Sequence, residues 1–305
     1  MNILVTGGAG FIGSHLVEAL VARGHAVTVL DDLSTGHLDH LAAVAHDIRF
    51  VRGSVTEPTD VRAAMAGCEL VYHEAAIASV PRSIEDPERT HAVNLGGTVH
   101  VLEAARQLKV RRVVFAGSAA VYGNREGPAQ EDHPPSPQSP YAVEKLASEH
   151  YLRLWPALYG VETVILRYFN VFGPRQDPAS PYSGVVSIFA ERLRRGLPIT
   201  LFGDGEQTRD FVAVADVVAA NLRAGEVPAV AGLTANVARG ASTSINSLYH
   251  TLAGRLGGGA PQYAPARIGD VRHSLADVTR AREHLGFEAQ LSVAEGLDRL
   301  VAWLG

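Results

Sequence analysis

The chain is poor in several residues that would each point to a particular kind of protein. Its 305 residues include one cysteine, Cys68, which excludes an internal disulfide and a cysteine-built metal site; no metal is expected. Cys68 follows a glycine and precedes an apolar run, the setting of a packed structural residue. No apolar run is long enough to span a bilayer, so no membrane partner is expected. The first strand is expected at residue 2 or 3, which leaves no room for a signal or transit peptide and suggests a cytoplasmic protein. The formal net charge of −5 offers no basic footprint for nucleic acid. Lysine is scarce as well. Of 27 basic residues only Lys109 and Lys145 are lysines, so the position of a lysine carries information. What remains is globular, 47% hydrophobic and 19% charged, with no internal repeat and no low-complexity tail.

The richest stretch is Thr6-Gly7-Gly8-Ala9-Gly10-Phe11-Ile12-Gly13-Ser14-His15. The apolar run Asn2-Ile3-Leu4-Val5 ahead of it reads as a strand buried on both faces. Behind it, Leu16, Val17, Leu20 and Val21 recur at helical spacing. Gly7, Gly10 and Gly13 thus sit where a strand turns into a helix, letting backbone approach a pyrophosphate at the helix N-terminus. The next strand, Ala26 to Leu30, ends in Asp31-Asp32, where a carboxylate can accept from a ribose 2′-hydroxyl and repel a 2′-phosphate. Alone, the glycines would mark an ordinary turn. Strand, glycines, helix, strand and acid together specify a dinucleotide, and NAD rather than NADP.

Strands follow at Ile48–Val51, Glu69–His73, Arg112–Ala116 and Thr163–Arg167, with helices expected over Thr59–Met65, about Pro87–Leu108 and about Pro140–Leu158. This alternation predicts an α/β fold, a Rossmann-type doubly wound parallel sheet with ligands beyond the carboxyl ends of its strands. Gly53, Ala75, Ala76 and Asn94 are expected at or near such ends. Residues 124–140 are expected to form a loop too polar for the core. Pro174–Gly184 is read as another loop and Gly203–Arg209 as a Gly-rich turn, lid or binding segments of a smaller C-terminal lobe. The division is placed at 1–168, mainly the dinucleotide-binding domain, and 169–305, mainly the substrate lobe with some segments returning to the sheet.

Tyr141 and Lys145 lie four apart on a predicted helix, hence on one face. A phenol is a poor base at neutral pH, and an ammonium beside it, with a cationic nicotinamide, favours the phenolate. Ser118 follows directly on the fifth strand, where its hydroxyl can meet a substrate hydroxyl or ketone. Each alone has a plain structural reading; the three together point to catalysis.

The glycine spacing G-x-x-G-x-x-G resembles that of the short-chain dehydrogenase/reductase superfamily. Further motifs narrow the resemblance: Asp31–Gly36, His73-Glu74-Ala75-Ala76, Asn94–Thr98, Ser118 with Tyr141 and Lys145, Leu166–Asn170, Gly203–Phe211 and Arg267-Ile268-Gly269-Asp270. Together they look like the UDP-glucose 4-epimerase branch of the extended members, in register from residue 2 to about 277. The resemblance implies NAD contacts at Gly7, Gly10, Phe11, Ile12, Gly13, Asp31, Asp32, Ser34, Thr35, Gly36, Ser54, Val55, Ala75, Ala76, Ala78, Asn94, Tyr141, Lys145 and Tyr168. It implies a UDP-sugar held by Ser79, Ser118, Tyr141, Asn170, Val186, Thr200, Phe202, Arg209, Arg267, Asp270 and Ser274, two arginines facing two phosphates. One departure is Ser54, where the family commonly has an acid near the adenine, which puts that contact in doubt. The helices at 87–108 and 140–158 look like those that pair two subunits, so a homodimer is expected.

The implied reaction is 4-epimerisation of a UDP-hexose through a 4-keto sugar. A nucleotide-sugar 4,6-dehydratase or decarboxylase on the same fold carries an extra acid just after the Ser118 position, where this chain has Ala119 and Ala120. A dTDP-sugar epimerase remains open. A non-catalytic dinucleotide sensor would be free to lose Tyr141 or Lys145, and neither is lost. Ser274 stands where glucose-restricted enzymes of the branch carry a bulky tyrosine, and Ser79-Val80-Pro81-Arg82-Ser83 looks like the segment of epimerases that take N-acetyl sugars. UDP-GlcNAc and UDP-GalNAc are therefore further candidate substrates.

Overall fold

The first strand, β1 (Asn2–Thr6), is inaccessible from Ile3 onward, and its neighbours on both sides run parallel to it. The computed structural model describes residues 1–177, 184–266 and 272–305. In chain order β1 is followed by α1 (Phe11–Ala22), β2 (Ala26–Asp31), β3 (Ile48–Arg52), α2 (Pro58–Met65) and β4 (Leu70–His73). Next come α3 (Val80–Glu85), α4 (Pro87–His91), α5 (Gly97–Gln107), β5 (Arg112–Ser118), α6 (Pro140–Tyr159) and β6 (Glu162–Tyr168). The inner strands are buried on both faces because helices cover both, whereas the edge strand β3 exposes Arg49 and Arg52.

Among the described residues the main sheet has seven parallel strands in the order β10-β6-β5-β4-β1-β2-β3, where β10 is Leu233–Val237. The order reverses between β1 and β4, which opens a crevice beyond their carboxyl ends. One core lies between the sheet and the α1 side and includes Val5, Leu16, Tyr72 and Tyr168. A second, with Leu4, Val71, Leu102 and Trp155, fills the α5–α6 side.

After β6 the chain builds a lobe from β7 (Asn170–Phe172), α7 (Val185–Arg194), β8 (Thr200–Phe202) and β9 (Thr208–Ala213). α8 (Val214–Glu226) then packs against α1, and β10 rejoins the main sheet. β11 (Ser242–Ser244), α9 (Ile245–Leu256), β12 (Gln262–Ala264) and α10 (Val293–Leu304) complete the lobe around Phe172, Phe189, Tyr249 and Leu297. Asp210 staples it. Fully buried, its carboxylate accepts from the N–H groups of Arg239, Gly240 and Ala276, and burial pushes its pKa up to about 6.

Four expectations need correction. The single helix over 87–108 is α4, a π turn over Ala92–Gly96, and α5. The Asn94 carbonyl accepts from the Thr98 and Ser148 hydroxyls, which compete with the regular ladder and widen it. Asn94 therefore stands in that turn, not at a strand end. The 124–140 loop is not polar throughout: Ala129 and Glu131 are buried, because Ala129 bridges to Ala276 and Glu131 accepts from the Asn236 N–H. The expected Gly203–Arg209 turn ends early, since Thr208 and Arg209 already belong to β9.

Candidate active site

Gly7 leaves β1 with φ +69°, a conformation that glycine adopts without strain. A Cβ there would lie 2.7 Å from the Ala75 backbone, and one on Gly13 would lie 2.2 Å from the Gly7 carbonyl oxygen. The turn is thus a backbone surface with no room for side chains. No side chain caps α1, which leaves the N–H groups at its start, around Phe11 and Ile12, to a ligand. This cradle fits a dinucleotide pyrophosphate. At the end of β2, Asp31 accepts from the Ala9 and Leu33 N–H groups at 2.9 and 2.8 Å and so shapes the loop. Asp32, exposed, takes the Ser34 N–H on one oxygen and is the more accessible acceptor for a ribose hydroxyl. Ser34 and Thr35 are exposed beside it, and Gly36 is buried against Ala9.

Other expected cofactor positions fall around this crevice in different ways. Ala75 and Ala76 follow β4, and the Ala75 N–H donates to Thr6 Oγ1. Ala78 is exposed. Asn94 accepts from the Ile77 N–H and donates to Glu144 Oε2, so its amide braces the segment after β4. Ser54 N–H donates to Asp60 and its hydroxyl accepts from Thr56, while the Val55 side chain is buried under Gly97.

β5 ends at Ser118, whose oxygen caps the following short turn by accepting from the Ala120 N–H at 3.1 Å. Register sets Ser118 beside Tyr168 on β6. Ser139 caps α6 and Pro140 occupies its first position, which fixes where the helix starts and so which face carries Tyr141 and Lys145. Lys145 Nζ donates to the Ala116 carbonyl at 2.9 Å, 5.9 Å from the Tyr141 ring and 4.7 Å from that of Phe115. Ser118, Tyr141 and Lys145 therefore converge.

Their electrostatics differ in one respect from expectation. Burial holds the Tyr141 phenol above its ordinary pKa, outweighing the Ser118 hydrogen bond that lowers it. Burial pulls Lys145 down to about 8, with the Glu74 carboxylate the largest influence holding it up. The protein alone therefore keeps Tyr141 a phenol, and further positive charge is needed for the phenolate. Glu74 itself is pushed up to about 7 by burial; Tyr168 donates to it at 2.8 Å and Asn221 donates to Tyr168 at 2.7 Å.

In the lobe, Asn170 follows Tyr168 by two residues and donates to the Asp210 carbonyl. The β7–β9 pairing sets Asn170 opposite Phe211, two residues along β9 from Arg209, and Ser274, half-buried, donates its N–H to the Thr208 carbonyl. Thr200 and Phe202 stand half-buried on β8. The structure brings Asn170, Arg209 and Ser274 to one end of β9. Ser79 sits after β4 and spends its hydroxyl as the cap of α3. Val186 is 2% exposed and packs in the lobe's apolar core. Arg267 and Asp270 lie outside the described residues. A separate cleft of about 660 Å³, lined by Glu131, Arg153, Arg167 and Arg280 among others, opens beside β10 and shares no residue with this site.

Sequence comparison decides the family. The NAD dependent epimerase/dehydratase family profile matches residues 3–238. The chain belongs to that family. A UDP-glucose 4-epimerase of Mycolicibacterium smegmatis is 44% identical over 99% of this chain and 97% of its own length. The crystal structure of a UDP-glucose 4-epimerase from Thermotoga maritima, with UDP-glucose, matches with TM-score 0.95 and 40% identity over 100% of this chain and 98% of that one. That of a Thermus thermophilus UDP-glucose 4-epimerase complexed with NAD matches with TM-score 0.91 and 41% identity over 99% and 98%. This family member sits in the UDP-glucose 4-epimerase branch, and NAD is its cofactor.

Glu74, Glu144 and Asn221 were missed as site residues. Glu74 carried a readable signal, an acid placed directly after a fully buried strand; the other two became significant only through partners distant in sequence.

Proposed function

We propose that this family member interconverts the C4 epimers of a UDP-hexose, UDP-glucose and UDP-galactose first, through a 4-keto sugar. The observation that carries this is the convergence of Ser118, Tyr141 and Lys145 beside the glycine turn, with Ala119 and Ala120 where a dehydratase or decarboxylase needs an acid. Tyr141 takes the proton of the sugar 4-hydroxyl and later returns it, while Ser118 holds that oxygen by a hydrogen bond. Lys145 supplies positive charge beside the phenol. NAD, held by the glycine turn and the Asp31–Asp32 loop, supplies the acceptor and donor of the C4 hydride and a cationic ring that favours the phenolate. Asn170, Arg209, Arg267 and Asp270 would hold the nucleotide diphosphate so that the ketone can turn over in place.

Two finer readings belong to this proposal. The small Ser274 side chain leaves volume for an N-acetyl group, so UDP-GlcNAc and UDP-GalNAc are also substrates. The enzyme is a cytoplasmic homodimer paired through α5 and α6, since Val143, Tyr151, Leu154 and Leu158 form an exposed apolar stripe at helical spacing on α6.

The deciding experiment is proton NMR of the purified protein with UDP-galactose, UDP-GalNAc or dTDP-glucose in separate tubes, without and with added NAD. The gluco epimer growing in from UDP-galactose supports the reading. Turnover of dTDP-glucose alone changes the nucleotide, and no turnover in any tube rejects the reaction.

A further inference from the structure

Nothing in the mechanism above uses Glu74. It directly follows β4, and strand alternation puts it with Tyr72 on the α8 side of the sheet, while His73 faces Thr98 of α5. The hydrogen bonds run in one direction: Asn221 Nδ2 donates to the Tyr168 hydroxyl, and that hydroxyl donates to Glu74 Oε1. Glu74 ends the chain as an acceptor, the part a carboxylate plays. The last β4–β5 pair is His73 with Phe115, so Glu74 stands one step further on, beside Ala116, whose carbonyl accepts from Lys145 Nζ. The carboxylate thus stands one strand away from the carbonyl that holds the ammonium; the two form no direct ion pair, and they act on each other through the low-dielectric interior between them.

The other groups facing Lys145 are already engaged. From its own helix, Glu144 accepts from Thr90 and Asn94, and Glu149 is shared between Arg167 and Arg153. His73 on β4 is held neutral by burial, Tyr141 and Tyr168 are held as phenols, and α8 offers only the uncharged Asn221. No arginine claims the charge of Glu74, and where Glu144 has a neutral donor on each of its two oxygens, Glu74 has one on Oε1 alone, the Tyr168 hydroxyl.

We propose that Glu74 is a positioning residue for the reaction assigned above: it is the counter-charge that keeps Lys145 protonated beside Tyr141. This rests on Lys145 being the partner of Tyr141. Burial draws the Lys145 ammonium down and lifts the Glu74 carboxyl, so the charged form of each is costly alone and is supported by the opposite charge of the other. Without Glu74, the ammonium loses its proton at lower pH, and with it the charge that favours the Tyr141 phenolate.

The chain's two lysines make this measurable. In NAD-loaded protein grown on lysine carrying carbon-13 at Cε, Lys109 and Lys145 give one resonance each. In the unaltered protein the Lys145 signal is expected to titrate in two steps, the smaller as Glu74 changes charge. In Glu74→Gln its main midpoint is expected to fall by about one pH unit or more, with Lys109 unmoved, and the alkaline limb of kcat falls with it. Glu74→Asp, which keeps the charge, recovers most of both shifts. A one-step Lys145 curve in the unaltered protein overturns the proposal without any variant. So does an unmoved midpoint in Glu74→Gln with kcat lowered equally at every pH, the mark of a structural role. Because the titration is read without substrate, failure of the epimerase reading appears separately, as absence of turnover.

Discussion

The Glu144 carboxylate on α6 accepts from Asn94 Nδ2 at 2.6 Å, which ties the helix bearing Tyr141 and Lys145 to the π turn between α4 and α5. The same Asn94 amide holds the backbone of Ile77, just past β4. One side chain thus joins two walls of the crevice.

Replacing Asn94 by Ala leaves a buried carboxylate oxygen without its donor. A loss of about 1–3 kcal/mol is expected in urea unfolding. Glu144→Ala made on top of Asn94→Ala is expected to add less than it costs alone; strictly additive losses would show that the pair does not act as a unit.

Tyr141→Phe removes the hydroxyl that exchanges the C4 proton and keeps the ring. We expect kcat to fall by about 10²–10⁴-fold with UDP affinity, read by calorimetry, unchanged. A variant with near-normal turnover would transfer the proton step to another group.

Ser274→Tyr is expected to abolish turnover of UDP-GalNAc while sparing UDP-galactose, because the new ring fills the volume next to β9. Competition between the two sugars in one NMR tube reads the ratio directly. Unchanged selectivity would mean that the acetyl pocket is bounded elsewhere.

His73 bears on acid stability. It sits fully buried between the Thr6 and Thr98 hydroxyls, and burial lowers its pKa to about 3. Below the ordinary imidazole pKa the unfolded chain takes up a proton that the folded protein refuses. Stability therefore falls as pH drops from about 6.5 towards 3, by up to about 1.4 kcal/mol per pH unit from this group. His73→Gln is expected to be less stable at pH 7 but to lose stability less steeply below pH 6, as followed by urea midpoints.

Leu154→Glu with Leu158→Glu places two charges in the apolar stripe of α6. A shift from dimer to monomer mass in light scattering is expected. A monomeric parent protein would remove the dimer proposal.

Much of the fold could be read because it is local. A buried parallel strand needs an apolar run, a positive-φ turn takes a glycine, and a helix start takes Ser139-Pro140; each is settled within a few residues. What resisted reading was set from far away. The π turn exists because Asn94 answers to Glu144 and Ser148, about fifty positions on, and the 124–140 loop is partly buried because Ala129 meets Ala276.

The alternation of apolar strands with helices, the glycine spacing with the acids at the end of β2, and the four-residue spacing of Tyr141 and Lys145 were enough to determine the doubly wound sheet, its dinucleotide and that pair, since these depend on backbone geometry and helical period alone. Only the tertiary structure decided how much charge that pair carries. Burial and the approach of Glu74, seventy-one positions before Lys145, set it, and solvation and Coulomb energy depend on distance in space rather than along the chain.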